Sequence, residues 1–296
     1  MPWFGKRAMP QAAVAITNDI VPLPLPVPLD AGLFKRHFDA LLKGAAADGG
    51  IEAYLAALAA KREAFAAARL RAQAAAPGLD AVEALLALVF TARRKLYPAL
   101  ELLGEECLAG LMAELWFGHS PADQRLQRFV DAMPGAADGD RARLKAAAQL
   151  RRAARDFAAE ALHFAETERY PLMTRWVWDQ ATQSGALREF IRGNDTMREV
   201  PFSNAPGLFE AARHWLAEQV AAQGIYRDEV LWIDLLQAQA YLGYFRSMTE
   251  GSLGADFGRG VPPQEQLKRL LGIDAAPGAR PERVRKAQPA QHAEVH

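Results

Sequence analysis

Apolar side chains recur at three- and four-residue intervals along most of the chain from Asp30 to Leu271, the spacing at which a helix turns one face to a core. Residues that start or stop helices punctuate each run. Asp30 caps AGLFKRHFDALLKG, which closes on Gly44. An alanine-rich run from Ile51 to Ala76 stops at Pro77-Gly78. Asp80 and Glu83 make a start like a capping box for AVEALLALVFTARRKLY, which Pro98 interrupts. Helices are also predicted over Glu105–Phe117 and from Ser120-Pro121 to Met133-Pro134. From Arg141 to about Tyr170 the longest pattern places Leu144, Ala147, Leu150, Ala154, Phe157, Ala161 and Phe164 on one stripe. Pro171 opens PLMTRWVWDQATQ, which ends at Gly185, and Ala186–Arg192, Leu208–Ala222, Tyr226–Thr249 and Gln264–Leu271 complete the series. Sustained period-two alternation, Asn-Gly hairpin turns and fixed-period repeats are absent from the sequence. The fold class is therefore all-α, an irregular bundle of about ten to twelve helices.

The ends break this pattern. In residues 1–29, VPLPLPVPLD alternates proline with aliphatics, which blocks a helix and favours an extended arm lying across the body. A ligand for a proline-reading module is the weaker alternative, because the PxxP-plus-Arg context is missing. GAADGD marks an internal boundary between a helical lobe at 30–134 and a second at 140–274. Residues 275–296 are polar and punctuated by proline, the composition of a disordered tail.

Composition narrows the function. A hydrophobic fraction of 51% and a charged fraction of 24% suit an ordinary soluble, bacterial-type globular protein. Lys plus Arg equals Asp plus Glu at 35 each, so no global field attracts nucleic acid or an anionic membrane. No apolar run reaches the ~18 residues of a membrane span, and the N-terminus lacks the pattern of a secretory signal, so a cytoplasmic location is expected. Cys107 is the only cysteine, which excludes an intramolecular disulfide; its amphipathic surroundings predict a small core residue.

Phosphate loops, GxSxG elbows, HExxH and CxxC are missing. Arg259, in the glycine-rich GSLGADFGRG, is a candidate anion contact, but no strand precedes it and the segment reads as a crossover turn. Glu160 and His163, three apart on one helix, have the spacing of a bundle metal site but lack a second ExxH, and a solvated helix edge is the plainer reading. A helical wheel puts Glu210 and His214 on the solvent side of their helix. The long helix is basic at its start, with Arg141, Arg143, Lys145, Arg151, Arg152 and Arg155, and acidic at its end, against the preference of the helix dipole. A protein partner with an acidic strip fits that face better than nucleic acid, since aromatic interleaving is absent.

One charge, Asp234, stands within VLWIDLLQAQAYLGYF, a helix apolar nearly all round and therefore central. A buried carboxylate must be paired, hydrogen-bonded or protonated. Arg175, among the aromatics of RYPLMTRWVWDQ, is the expected partner. The pair is read first as a buried register pin. The functional alternative makes it the polar floor of a pocket walled by Trp176, Trp178, Trp232 and Tyr241. Two functions follow. The first is a non-catalytic accessory, adaptor or assembly protein acting through helical protein–protein surfaces. The second is an all-α enzyme or a cofactor- or metal-binding protein with its site around Asp234, Arg175, Glu160 and His163, with Tyr241 as a further catalytic candidate and a small-molecule ligand in view.

Overall fold

The computed structural model describes residues 20–135, 140–197, 199–250 and 261–274, with side chains described outside 246–250. Among these residues the chain forms ten α-helices and one 3-10 helix, Ala186–Phe190, and no strand. The helices are α1 (Ala31–Ala46), α2 (Ile51–Ala72), α3 (Leu79–Leu86), α4 (Tyr97–Leu103) and α5 (Glu105–Phe117), then α6 (Ala122–Asp131), α7 (Arg141–Ala165), α8 (Pro206–Ala222), α9 (Glu229–Glu250) and α10 (Pro263–Leu271). The all-α fold read from the sequence is the fold observed.

Local chemistry sets the boundaries. Asp30 Oδ1 accepts the Leu33 amide at 2.9 Å and starts α1, and Asp140 Oδ1 accepts the Arg143 amide at 2.9 Å and starts α7. Gly272 ends α10 at φ 68°, and any Cβ there would stand 1.8 Å from the Leu88 carbonyl oxygen, so only glycine fits. Residues 20–29 are not helical. Ile20 is buried, Leu25, Val27 and Leu29 pack against the core, and the Leu23 amide donates to the Gly207 carbonyl at 2.9 Å. Residues 1–19 of the expected proline-rich arm, Arg259 with its glycine-rich loop, and residues 275–296 of the expected tail lie outside the described residues.

Helix α9 runs through the centre, touching α1, α2, α8, α10 and the 3-10 helix, as its apolar circumference requires. Helix α7 packs on α2, α5 and α6. Phe65 meets Phe164 and Phe129 meets Phe157, at ring separations of 5.8 and 5.7 Å, along these seams. One continuous apolar core joins all ten helices.

Three expectations are corrected. The helix expected across AVEALLALVFTARRKLY stops at Leu86, and turns fill the chain up to α4; β-branched Val89 and Thr91 weaken helix formation there. Pro171–Gln183 is not helical. Asp156 Oδ1 takes the Arg175 amide at 2.9 Å, the N–H that a helix opening at Pro171 would give to the Pro171 carbonyl. The segment's apolar density reflects burial of an irregular chain on all sides, not one helical face. Cys107 is exposed rather than in the core, because α5 turns Leu108, Met112 and Leu115 inward instead.

Candidate functional site

The buried polar centre is built on the C-terminal half of α7. Glu160 and His163 are each 1% exposed, as is Asp234 on α9, so the solvated-edge reading of Glu160 and His163 is corrected: this half of α7 is covered all round. Lys61 of α2 approaches Glu160 Oε2 at 2.6 Å, donates to the Leu271 carbonyl at 2.6 Å, and lies 4.3 Å from the centre of the Phe164 ring. One ammonium thus ties α2, α7 and the end of α10 together. Burial pushes the Glu160 carboxyl up to about 7 against the lowering influence of Lys61.

Asp234 pairs with His163, not with Arg175. His163 Nε2 stands 3.0 Å from Asp234 Oδ2, and Nδ1 stands 2.7 Å from the Tyr170 carbonyl oxygen. Arg175 instead pairs with Asp179, four residues on in its own segment. Arg125 of α6 continues the polar line, donating to the Leu115 carbonyl and to the Tyr170 hydroxyl at 2.8 Å each. Carbonyls and hydroxyls thus link α5 and α6 through Tyr170 and His163 to α9.

The aromatic candidates do not converge on one pocket. Trp176 meets Tyr241 at 6.1 Å, Trp232 stacks on Phe38 of α1 at 5.8 Å, and the Trp178 indole donates to the Phe202 carbonyl at 3.2 Å. Tyr241 is half-buried, and burial raises its phenol. Both His163 nitrogens are committed to protein partners, and no group of three or more His, Cys, Asp or Glu among the described residues is placed to hold a metal. Glu210 corrects the wheel: it is fully buried, held by Arg213 at 2.7 Å and His214 at 2.9 Å, while His214 itself is largely exposed. Lys61 and Arg125 were legible but unread. Each interrupts an apolar stripe, Lys61 between Leu58 and Phe65 and Arg125 between Ala122 and Phe129.

A different surface emerges at the other end of α7. None of its residues from Arg141 to Leu150 is buried, and the first buried one is Ala153. The stripe that the sequence assigns to the core therefore starts outside it, with Leu144 at 49% exposure and Ala147 and Leu150 half-covered. These turns face α4 across a groove of about 520 Å³, walled by Pro98, Ala99, Leu102, Ala146, Ala147 and Leu150. Leu102 is 81% exposed at its rim. The charged side chains lining the groove are Lys95 and Arg143, and Lys95 donates to Gln149 at 3.0 Å across its edge. Arg141 and Lys145 stand exposed beside it.

No described helix is long and apolar enough to cross a membrane. No protein-family model, curated protein or solved structure matches this chain.

Proposed function

We propose that the protein is a non-catalytic accessory or adaptor protein that docks an acidic, amphipathic helical segment of a partner protein in the groove between α4 and the first half of α7. The observation that carries this reading is the uncovered start of the α7 stripe. A helix of about 37 Å, at ~1.5 Å per residue, keeps its first turns off the body while presenting Leu144, Ala147 and Leu150 at i, i+3 and i+6 spacing. Short unpacked helices are marginal in water, so such a face gains most from a partner that covers it. Lys95, Arg141, Arg143 and Lys145 select an acidic partner, and they account for a helix that begins basic against its own dipole.

The buried centre supports the same reading. The contacts of Lys61, Glu160, His163 and Asp234 are with one another and with backbone carbonyls, which suits an internal clamp better than a reaction centre open to substrate.

The test is fluorescence anisotropy with a labelled synthetic helix carrying leucine at i, i+3 and i+7 flanked by glutamate, against the same peptide with lysine for glutamate. The acidic peptide is expected to bind saturably and more weakly as salt rises. Leu102→Asp and Arg143→Glu are each expected to weaken it by about tenfold or more without lowering the unfolding midpoint. Equal binding of the lysine peptide, or full affinity in Leu102→Asp, overturns the reading.

A further inference from the structure

A second cavity of about 280 Å³ opens where the middle of α7 meets the Pro171–Gln183 segment, and four of its lining side chains are arginines: Arg151, Arg152, Arg155 and Arg175. Two of the four are neutralised within the chain. Arg151 pairs with Asp131, and Arg175 pairs with Asp179. Asp179 also accepts the Ala181 amide at 3.0 Å, so its carboxylate is fixed and serves to aim Arg175. Arg152 and Arg155 have no carboxylate at ion-pairing distance among the described residues. Arg155 feels the charges of Asp156, Asp123 and Asp179 from farther off. Asp156 is buried, with one oxygen committed to the Arg175 amide.

Arg155 is half-buried, and burial lowers its affinity for its proton. A guanidinium partly withdrawn from water with no carboxylate at contact distance gains from an anion that arrives to meet it. Arg152 and Arg155 are three apart on α7 and so present their forks on the same side. Two uncommitted guanidiniums match a dianion better than a single carboxylate, and their planar donors suit phosphate oxygens. Asn204 at the rim already uses its Oδ1 to accept the Gln180 amide at 3.1 Å, which leaves its NH2 group to donate. Trp178, Phe209 and Met173 supply apolar wall.

We infer that this cavity is a binding site for a phosphate monoester, held by Arg152 and Arg155 with Arg175 aimed at it from the opposite wall. The site shares α7 with the apolar groove but none of its lining residues, so the two readings stand or fall separately. Trp178 provides an optical readout. The experiment titrates the full chain with phenyl phosphate, N-acetylphosphoserine amide and benzoate at constant ionic strength, following tryptophan fluorescence and the thermal midpoint.

Phenyl phosphate is expected to bind saturably and about tenfold or more tighter than benzoate. Arg155→Gln and exposed Arg152→Gln are each expected to weaken it by about tenfold, whereas Arg143→Gln in the other groove leaves it unchanged. Tighter binding of the phosphoserine amide assigns the ester to a protein side chain, and tighter binding of phenyl phosphate to a small molecule; both uphold the site. Absence of saturation, equal affinity for benzoate, or unchanged binding in a folded Arg152→Gln overturns it.

Discussion

His163 is held between two oxygens, the Tyr170 carbonyl at Nδ1 and the Asp234 carboxyl at Nε2. The Tyr170 carbonyl can only accept, so Nδ1 carries a hydrogen. The other ring nitrogen, Nε2, meets Asp234 Oδ2 at 3.0 Å, so one imidazole bridges the Tyr170 backbone and α9. Removing either partner leaves a buried polar group exposed to apolar neighbours, at a cost of ~3–5 kcal/mol. A double-mutant cycle with His163→Gln and Asp234→Asn is expected to show a coupling of at least ~1 kcal/mol in urea unfolding, whereas Asp234→Asn with Arg175→Gln should be additive within ~0.5 kcal/mol. Strong coupling to Arg175 instead would contradict the geometry. Helical periodicity made the burial of Asp234 legible, because an all-apolar helix must be central. Its partner was not legible, since periodicity assigns faces within a helix and says nothing of which distant side chain faces them. Arg175 suits Asp234 only on a helical path that Pro171–Gln183 does not follow.

At the scale of elements, α7 behaves as two helices in one. Its second half is enclosed by α2, α5 and α6, and its first half is bounded mainly by solvent and the α4 groove. Amide exchange follows the free energy of local opening, so the two halves should separate. In hydrogen exchange followed by mass spectrometry, amides of residues 144–150 are expected to exchange in the fastest class and those of 157–164 near the rate of global unfolding. Adding the acidic helical peptide should slow the first set alone. Uniform protection along α7 without a partner would remove the case for an uncovered face. The stripe itself was legible from Leu144 to Phe164, and so was the reversed charge polarity. Where the body stops covering that stripe was not, because a core-facing leucine and a partner-facing one have the same sequence spacing.

For the whole molecule, the buried ionisable groups set a stability profile with a definite sign. Burial pushes the Asp156 carboxyl from 3.8 to about 6 and the Glu160 carboxyl from 4.5 to about 7. Burial also raises Glu189. Each therefore holds a proton in the folded state that the unfolded chain has released, so its contribution is full below pH ~4 and is lost as pH climbs through the folded values. His37 acts the other way. Burial and the charge of Arg36 lower it from 6.5 to about 4, so its contribution is full above 6.5 and is lost as pH falls through 4. The hydrogen-bonded carboxylates of Asp30, Asp48 and Asp131 are held below 3.8 and titrate outside this window. Three raised carboxyls outweigh one lowered imidazole, so the wild-type chain is expected to be more stable at pH 5 than at pH 7.5. Replacing Asp156 with Asn and Glu160 with Gln lowers the overall level, because the Arg175 amide and Lys61 each lose a buried carboxyl acceptor. More diagnostically, it is expected to shrink the fall in stability from pH 5 to pH 7.5, since Glu189 and His37, which act in opposite senses, are what remain. Urea unfolding of both proteins across pH 5 to 7.5 decides the matter. A wild-type profile that rises toward pH 7.5 means that the centre is open enough to water for its carboxylates to ionise freely, and a double variant that keeps the wild-type slope places the titrating groups elsewhere.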